Sequence, residues 1–168
     1  MQADELRALQ SPLKEQYRAE PTSALITLHA DGDLDDLSIA CNVETGRAIV
    51  AAGLHPATGG DGSLACSGDM LLQALVACAG VTMRAVATSL GIELRSAHLR
   101  ADGDLDFRGT LGVDKTARVG FQDIRLTFDL DTDATDDEIA TLLKLTERYC
   151  VVLQTLRNSP TLEATVRR

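Results

Sequence analysis

The spacing of apolar positions changes several times along the chain, and each change marks an element. Residues 4–19 place Leu6, Leu9, Leu13 and Tyr17 at helical spacing, interrupted by Ser11-Pro12. A serine cap followed by proline at the first helical position restarts a helix, so residues 1–22 read as a broken helical arm. A domain of residues 23–168 follows. Ala24 to Leu28, Leu37 to Cys41 and Arg47 to Ala52 read as short strands. Asp31-Gly32-Asp33 and Thr45-Gly46 supply turn chemistry between them, which predicts an antiparallel meander. His55 to Gly68 is a loop rich in Gly, Pro and Ser. It lacks the Gly-Lys-Ser/Thr ending of a phosphate loop and the spacing of a dinucleotide fingerprint.

Asp69 to Leu90 is the strongest element. Met70, Leu71, Ala74, Leu75, Cys78, Val81, Ala85 and Val86 make a stripe, and Leu72, Val76 and Ala77 carry apolar character round the other sides. A helix apolar on nearly all faces is buried on most of them. This predicts a central helix enclosed by a sheet or shared with a second subunit. Gly91 ends it. Ile92 to Asp106 and Val119 to Asp131 read as two long strands joined by a loop. Thr135-Asp136-Asp137-Glu138 matches a capping box and opens a second helix. That helix carries Ile139, Leu142, Leu143, Thr146, Cys150, Leu153 and Leu156 on one face as far as Asn158-Ser159-Pro160. Thr161 to Val166 is long enough for a terminal strand. The sum is an α+β chain.

Composition narrows the function classes. The 168 residues are 45% hydrophobic, 24% charged and only 3% aromatic, so the core is aliphatic. With Lys plus Arg at 16 and Asp plus Glu at 25, the net charge is −9. That balance argues against a nucleic-acid groove and against an anionic membrane surface as partners. The N-terminus lacks the basic start and apolar run of a signal peptide. The uncharged run from Met70 to Met83 is too short to span a bilayer. These features lead to an expectation of a cytoplasmic protein. There the four cysteines, 41, 66, 78 and 150, are thiols rather than a disulfide framework. No Cys-x-x-Cys or paired histidine spacing is present, so neither a metal nor another cofactor is expected. Gly-x-Ser-x-Gly is absent, which argues against an acyl hydrolase.

Cys78 and Cys150 both lie on apolar helix faces. Each reads either as a small core hydrophobe or as one half of a redox pair. A reactive thiol also needs an electropositive neighbour, because the thiolate is the nucleophile. Cys41 reads as core and Cys66 as a loop thiol or a third redox partner. His29, His55 and His98 are too scattered to form a site.

The run SGDMLLQALVACAGVTMRAVATSLGIEL, then GDLDFRGTLGVD, then ERYCVVLQTL, resembles the OsmC/Ohr family of osmotically inducible and organic-hydroperoxide-resistance proteins. Val76-Ala77-Cys78 matches the family's first cysteine motif. Arg148-Tyr149-Cys150-Val151-Val152 matches its Tyr-Cys-Pro-Val type second motif. The resemblance implies an OsmC-like fold, with antiparallel sheets wrapped around long central helices in an intertwined homodimer. It implies a thiol-dependent peroxidase that reduces organic hydroperoxides and is reset by an external dithiol. Cys78 would attack the peroxide and become a sulfenic acid, and Cys150 would resolve it to a disulfide. The family's activating arginine falls on Arg47, with Arg18 as the other candidate. Its glutamate position is occupied by Gly68, so Asp69 is either the substitute acid or a helix N-terminal charge. Val151 stands where many members have proline. The alternative implied by the lost glutamate is a weakly catalytic or non-enzymatic OsmC-like dimer that binds a small apolar ligand or senses oxidants.

Overall fold

A computed structural model describes residues 2–5, 8, 11, 19, 31–34, 40–44, 49–112 and 114–167, with the side chains of 31–34, 40–44 and 108 outside the description. The proposed strand at 24–28, Arg18 and Arg47 lie outside the described residues, as does most of the helical arm. The chain divides into two compact units. One comprises Met1–Ala8, Ala74–Leu99 and Phe128–Arg168; the other comprises Leu9–Gln73 and Arg100–Thr127.

The second unit holds a four-stranded sheet ordered β1-β2-β3-β4. Its strands are β1 (Asp31–Leu34), β2 (Ala40–Glu44), β3 (Ile49–Gly53) and β4 (Ala65–Cys66). The meander β1-β2-β3 is antiparallel, with Asp33 opposite Asn42 and Val43 opposite Val50. The antiparallel order follows the sequence reading, but the positions do not. Asp31-Gly32-Asp33 is strand rather than turn, because its backbone pairs with residues 42–44 along β2. Strand β4 adds in parallel to β3 and delivers the chain to the long helix.

Helix α1 spans Ser67–Leu90 and ends at Gly91, whose φ of 72° is the left-handed stop that glycine adopts freely. Strands β5 (Ser96–Leu105) and β6 (Phe121–Asp131) form a two-stranded ribbon. Arg125 pairs with Asp104, and Arg95 pairs with Asp131 and Asp133, so the two strands run in opposite directions. The connecting loop contains one short helix, α2 (Phe107–Thr110).

The core of the first unit is built by α1 and α3 (Asp136–Tyr149). Met83, Ala87, Leu94 and Leu142 form its buried centre, with Val86, Ile92, Phe128 and Leu130 packed around them. The buried face of α1 is Leu75, Ala79, Met83 and Ala87, a strict four-residue repeat. This corrects the broader stripe expected from sequence: Val81 is 74% exposed and Leu71 39%. Helix α3 starts with the expected capping box. The Thr135 hydroxyl accepts from the Glu138 N–H at 3.4 Å, and the Glu138 carboxylate takes the Thr135 N–H at 2.8 Å.

Two further expectations change. The second helix is not continuous. It stops at Tyr149 and restarts as α4 (Val151–Arg157), with Cys150 in extended conformation between them. Residues 161–166 form no strand; they are exposed, with Leu162 and Val166 each 82% accessible.

Two threonines of α3 make opposite predictions. Thr135→Ala removes an N-cap hydrogen bond and should cost about 1 kcal/mol. Thr146 is 1% exposed, and its Oγ1 has no hydrogen-bond partner among the described residues. Thr146→Val removes a buried, unsatisfied hydroxyl and should leave stability unchanged or raise it by about 1 kcal/mol. Urea unfolding of both variants measures the difference; a clear loss of stability in Thr146→Val refutes the assignment.

Candidate functional site

The two-helix corner at Cys150 builds the site. Its φ of −72° and ψ of 106° turn the chain out of the helix, while its N–H still donates to the Thr146 carbonyl at 3.0 Å. The corner frees the Glu147 carbonyl, which an unbroken helix would pair with the Val151 N–H. Gln154 Nε2 donates to that carbonyl at 2.7 Å, and Arg157 pairs with the Glu147 carboxylate at 3.1 Å. The break is therefore stitched across from α4. The N–H groups of Val151 and Val152, in the first turn of α4, are left without intrahelical partners.

Both of these donors face the sulfur of Cys78, on α1. Burial pushes the Cys78 thiol up. The Val152 N–H, the Cys150 thiol, the Val151 N–H and the Thr82 hydroxyl together outweigh it and hold the thiol below its ordinary value. Hydrogen bonding to the charged form of a thiol favours that form. Thr82 lies one turn beyond Cys78, and its hydroxyl donates its one proton to the Cys78 carbonyl at 2.7 Å, beside the sulfur.

Cys150 moves the other way. It is fully buried, and burial pushes its thiol up. The N–H groups of Leu153 and Val152 oppose this, but the Cys78 sulfur beside it reinforces the rise. The two thiols are thus shifted in opposite senses, the partly exposed Cys78 towards the thiolate and the buried Cys150 towards the thiol. No disulfide joins them; Cys66, Cys78 and Cys150 are all free.

Of the four residues singled out from sequence, the structure brings Cys78 and Cys150 together. Asp69 is in the first turn of α1, exposed, and is not among the groups facing Cys78. Arg47 lies outside the described residues. The activating groups that sequence reasoning missed are the Val151 and Val152 N–H groups and Thr82. Backbone donors leave no side-chain signature. Thr82 had one, since a hydroxyl four residues after a cysteine shares its helix face. Val151 also acquires a meaning here. Proline has no N–H, so valine at this position adds a donor to the Cys78 sulfur that proline withholds. Among the described residues, no cluster of three or more His, Cys, Asp or Glu could hold a metal ion.

An α+β chain with a long helix carrying one thiol, facing a second thiol at a helix corner, defines a dithiol protein of a recognisable kind. Residues 60–165 match the family model described as OsmC-like protein, and the chain belongs to that family. Its fold is the OsmC-like fold. The OsmC-like protein of Mycoplasma pneumoniae superposes with a TM-score of 0.66 at 16% identity, covering 80% of this chain and 89% of that one. The organic hydroperoxide resistance protein OsmC of Legionella pneumophila gives 0.59 at 17% identity, covering 80% and 92%. The organic hydroperoxide resistance protein OhrB of Bacillus subtilis gives 0.52 at 19% identity, covering 81% and 94%. No curated protein matches the sequence closely enough to add to this.

The proton arrangement is directly testable. Alkylation needs the thiolate, so a lowered pKa moves its onset to lower pH. Iodoacetamide should modify Cys78 with a pH midpoint below that of an ordinary thiol, and Cys150 only above it. Val151→Pro removes one donor and should raise the Cys78 midpoint. Proline is tolerated at a first helical position, and the extended Cys150 is compatible with it. Peptide mass spectrometry across a pH series reads both sites. Equal midpoints for the two thiols contradict the arrangement.

Proposed function

We propose that the protein is a thiol-dependent peroxidase acting on organic hydroperoxides through Cys78 and Cys150. The support for this reading is the contrast within the pair: a partly exposed Cys78 thiol held below its ordinary value, facing a buried Cys150 thiol pushed above its own. The Cys78 thiolate attacks the terminal peroxide oxygen, the O–O bond breaks, and the departing alkoxide takes a proton to become the alcohol. Cys78 is left as a sulfenic acid. The Cys150 sulfur then attacks the Cys78 sulfur, water leaves, and a disulfide forms. An external dithiol returns two electrons by exchange. Such a cycle suits a reducing cytoplasm, which keeps that dithiol supplied. Arg47 is the proposed cation for the peroxide end of this site, and Asp69 the proposed acid, both by resemblance to the family pattern.

We further propose that the working form is a homodimer. Helix α1 has a mean hydropathy of 1.7 over its most apolar stretch, yet only 22% of that stretch is buried. Length and composition alone would let it cross a membrane. Its sequence position at a dithiol site and the family fold favour a second copy of this chain as the cover. The exposed Val81 then belongs to the interface.

Reduced protein given one equivalent of cumene hydroperoxide should yield a Cys78–Cys150 linked peptide within seconds to minutes and one equivalent of alcohol. Cys78→Ser should abolish turnover. Cys150→Ser should leave a sulfenic acid that a dimedone probe traps at Cys78. Hydroperoxide consumption by Cys78→Ser at the wild-type rate rules out the mechanism.

Light scattering after size exclusion should give the mass of two chains. A stable interface of this kind buries about 1,200–2,000 Å². Val81→Glu places a charge within it and should shift the mass towards one chain. A wild-type mass of a single chain at micromolar concentration defeats the dimer proposal.

A further inference from the structure

A cavity of about 330 Å³ opens in the unit formed by Leu9–Gln73 and Arg100–Thr127, at the start of α1. Its size lies at the lower end of the range for small-molecule sites. Leu72, Leu105, Phe107 and Phe121 supply apolar walls. One wall is held in place by several contacts. The His55 ring stacks on Phe107 with centroids 5.0 Å apart and an interplanar angle of 15°. His55 Nδ1 accepts the Ala57 N–H at 3.0 Å, and its carbonyl takes the Thr58 hydroxyl at 2.9 Å.

Two glycines make the space. A Cβ on Gly103 would lie 2.5 Å from the Phe121 ring, so the ring occupies the room that any other residue would fill. A Cβ on Gly68 would meet Phe121 at 3.5 Å, the Cys66 sulfur at 3.6 Å and Leu105 at 3.7 Å. These are ordinary contacts with the cavity's own lining, so any longer side chain at 68 would project into the cavity. The glycine that replaces the acid expected from the family pattern is thus the residue that leaves the cavity open.

Asp69 and Asp104 both line the cavity, and among the described residues no lysine or arginine does. Arg125 answers Asp104 through two hydrogen bonds, one of them 2.8 Å. Asp69 is in no hydrogen bond or ion pair among the described residues and is exposed at the rim. Asp69 therefore offers a carboxylate to a cation, beside an aromatic interior that also suits one.

We propose that this cavity binds a small organic ammonium ion, its aromatic or branched aliphatic body against Leu72, Phe107 and Phe121 and its charge on Asp69. The site shares Asp69 with the proposed peroxide chemistry, so Cys66, not hydroperoxide turnover, is the readout. Cys66 lines it and reports on occupancy.

The test uses the full-length reduced protein and three probes of matched shape: 2-phenylethylamine, 2-phenylethanol and phenylacetate. The readout is the rate of Cys66 alkylation by iodoacetamide, with Cys78 followed in the same digests. At ten times its Kd the amine leaves roughly one site in eleven free, so Cys66 alkylation should slow about tenfold while Cys78 is unaffected. The alcohol should bind more weakly and the carboxylate least. Asp69→Asn should weaken the amine about two- to fivefold, as for an exposed ion pair, and leave the alcohol unchanged. Gly68→Leu fills the cavity and should abolish protection; Gly68→Ala leaves most of the volume and should retain it, both judged on protein with wild-type circular dichroism. If Gly68→Leu fails to fold, the Asp69→Asn comparison decides alone. Equal protection by amine and carboxylate, or none by millimolar amine, overturns the proposal.

Discussion

A helix running unbroken from Asp136 to Arg157 would hold the Val151 and Val152 N–H groups in its own ladder. Neither would be free to meet a sulfur. The break at Cys150 releases both, and the Cys78 sulfur is what they meet. The same break puts Cys150 in extended conformation, where its buried thiol can donate to Cys78. One backbone irregularity thus supplies two of the donors and positions a third. Orphaned N–H groups are costly unless paired, so the corner and a thiolate at Cys78 stabilise one another. Gln154 and Arg157 serve the other half of the break by satisfying Glu147.

A buried thiolate can be favoured by a nearby cation or by several hydrogen bonds. Among the described residues the Cys78 sulfur meets four donors and no cation. Relative to a proline in the same place, Val151 contributes one more of these. The departure at 151 therefore favours ionisation of Cys78, whereas the departure at Gly68 withdraws a side chain from the cavity.

Sequence legibility followed the physical origin of each feature. The capping box was readable because Thr135 and Glu138 satisfy each other's backbone within four residues. Helix α1 was readable from its length and its glycine stop, but its buried face was not. Composition is apolar all round, and only packing distinguishes Leu75 and Ala79 from Val81. The meander was readable as an antiparallel order of strands; Asp31-Gly32-Asp33 read as a turn because its turn chemistry is overridden by pairing along β2. The break at Cys150 had no local signal. Neither glycine nor proline marks it, and the apolar period continues through it. The facing thiols were nameable through the family resemblance carried by Val76-Ala77-Cys78 and Arg148-Tyr149-Cys150. The donors were not, because backbone amides are the same in every residue but proline.

The cavity was illegible for a related reason. Glycine in a helix start reads as a weak former or a cap, and Cys66 reads as a loop thiol. Neither residue carries information about Phe121, which is more than fifty positions away in the chain. Only when β6 brings that ring beside Gly68 and Gly103 do two missing side chains become a walled space. A position can thus lose one chemistry and gain another in the same substitution. The side chain absent at 68 withdraws a carboxylate, while Asp69, one residue on, keeps a carboxylate at the rim of the volume left behind. The net change is a carboxylate moved from the interior of the space to its edge, and that is the geometry a cationic ligand with an apolar body requires.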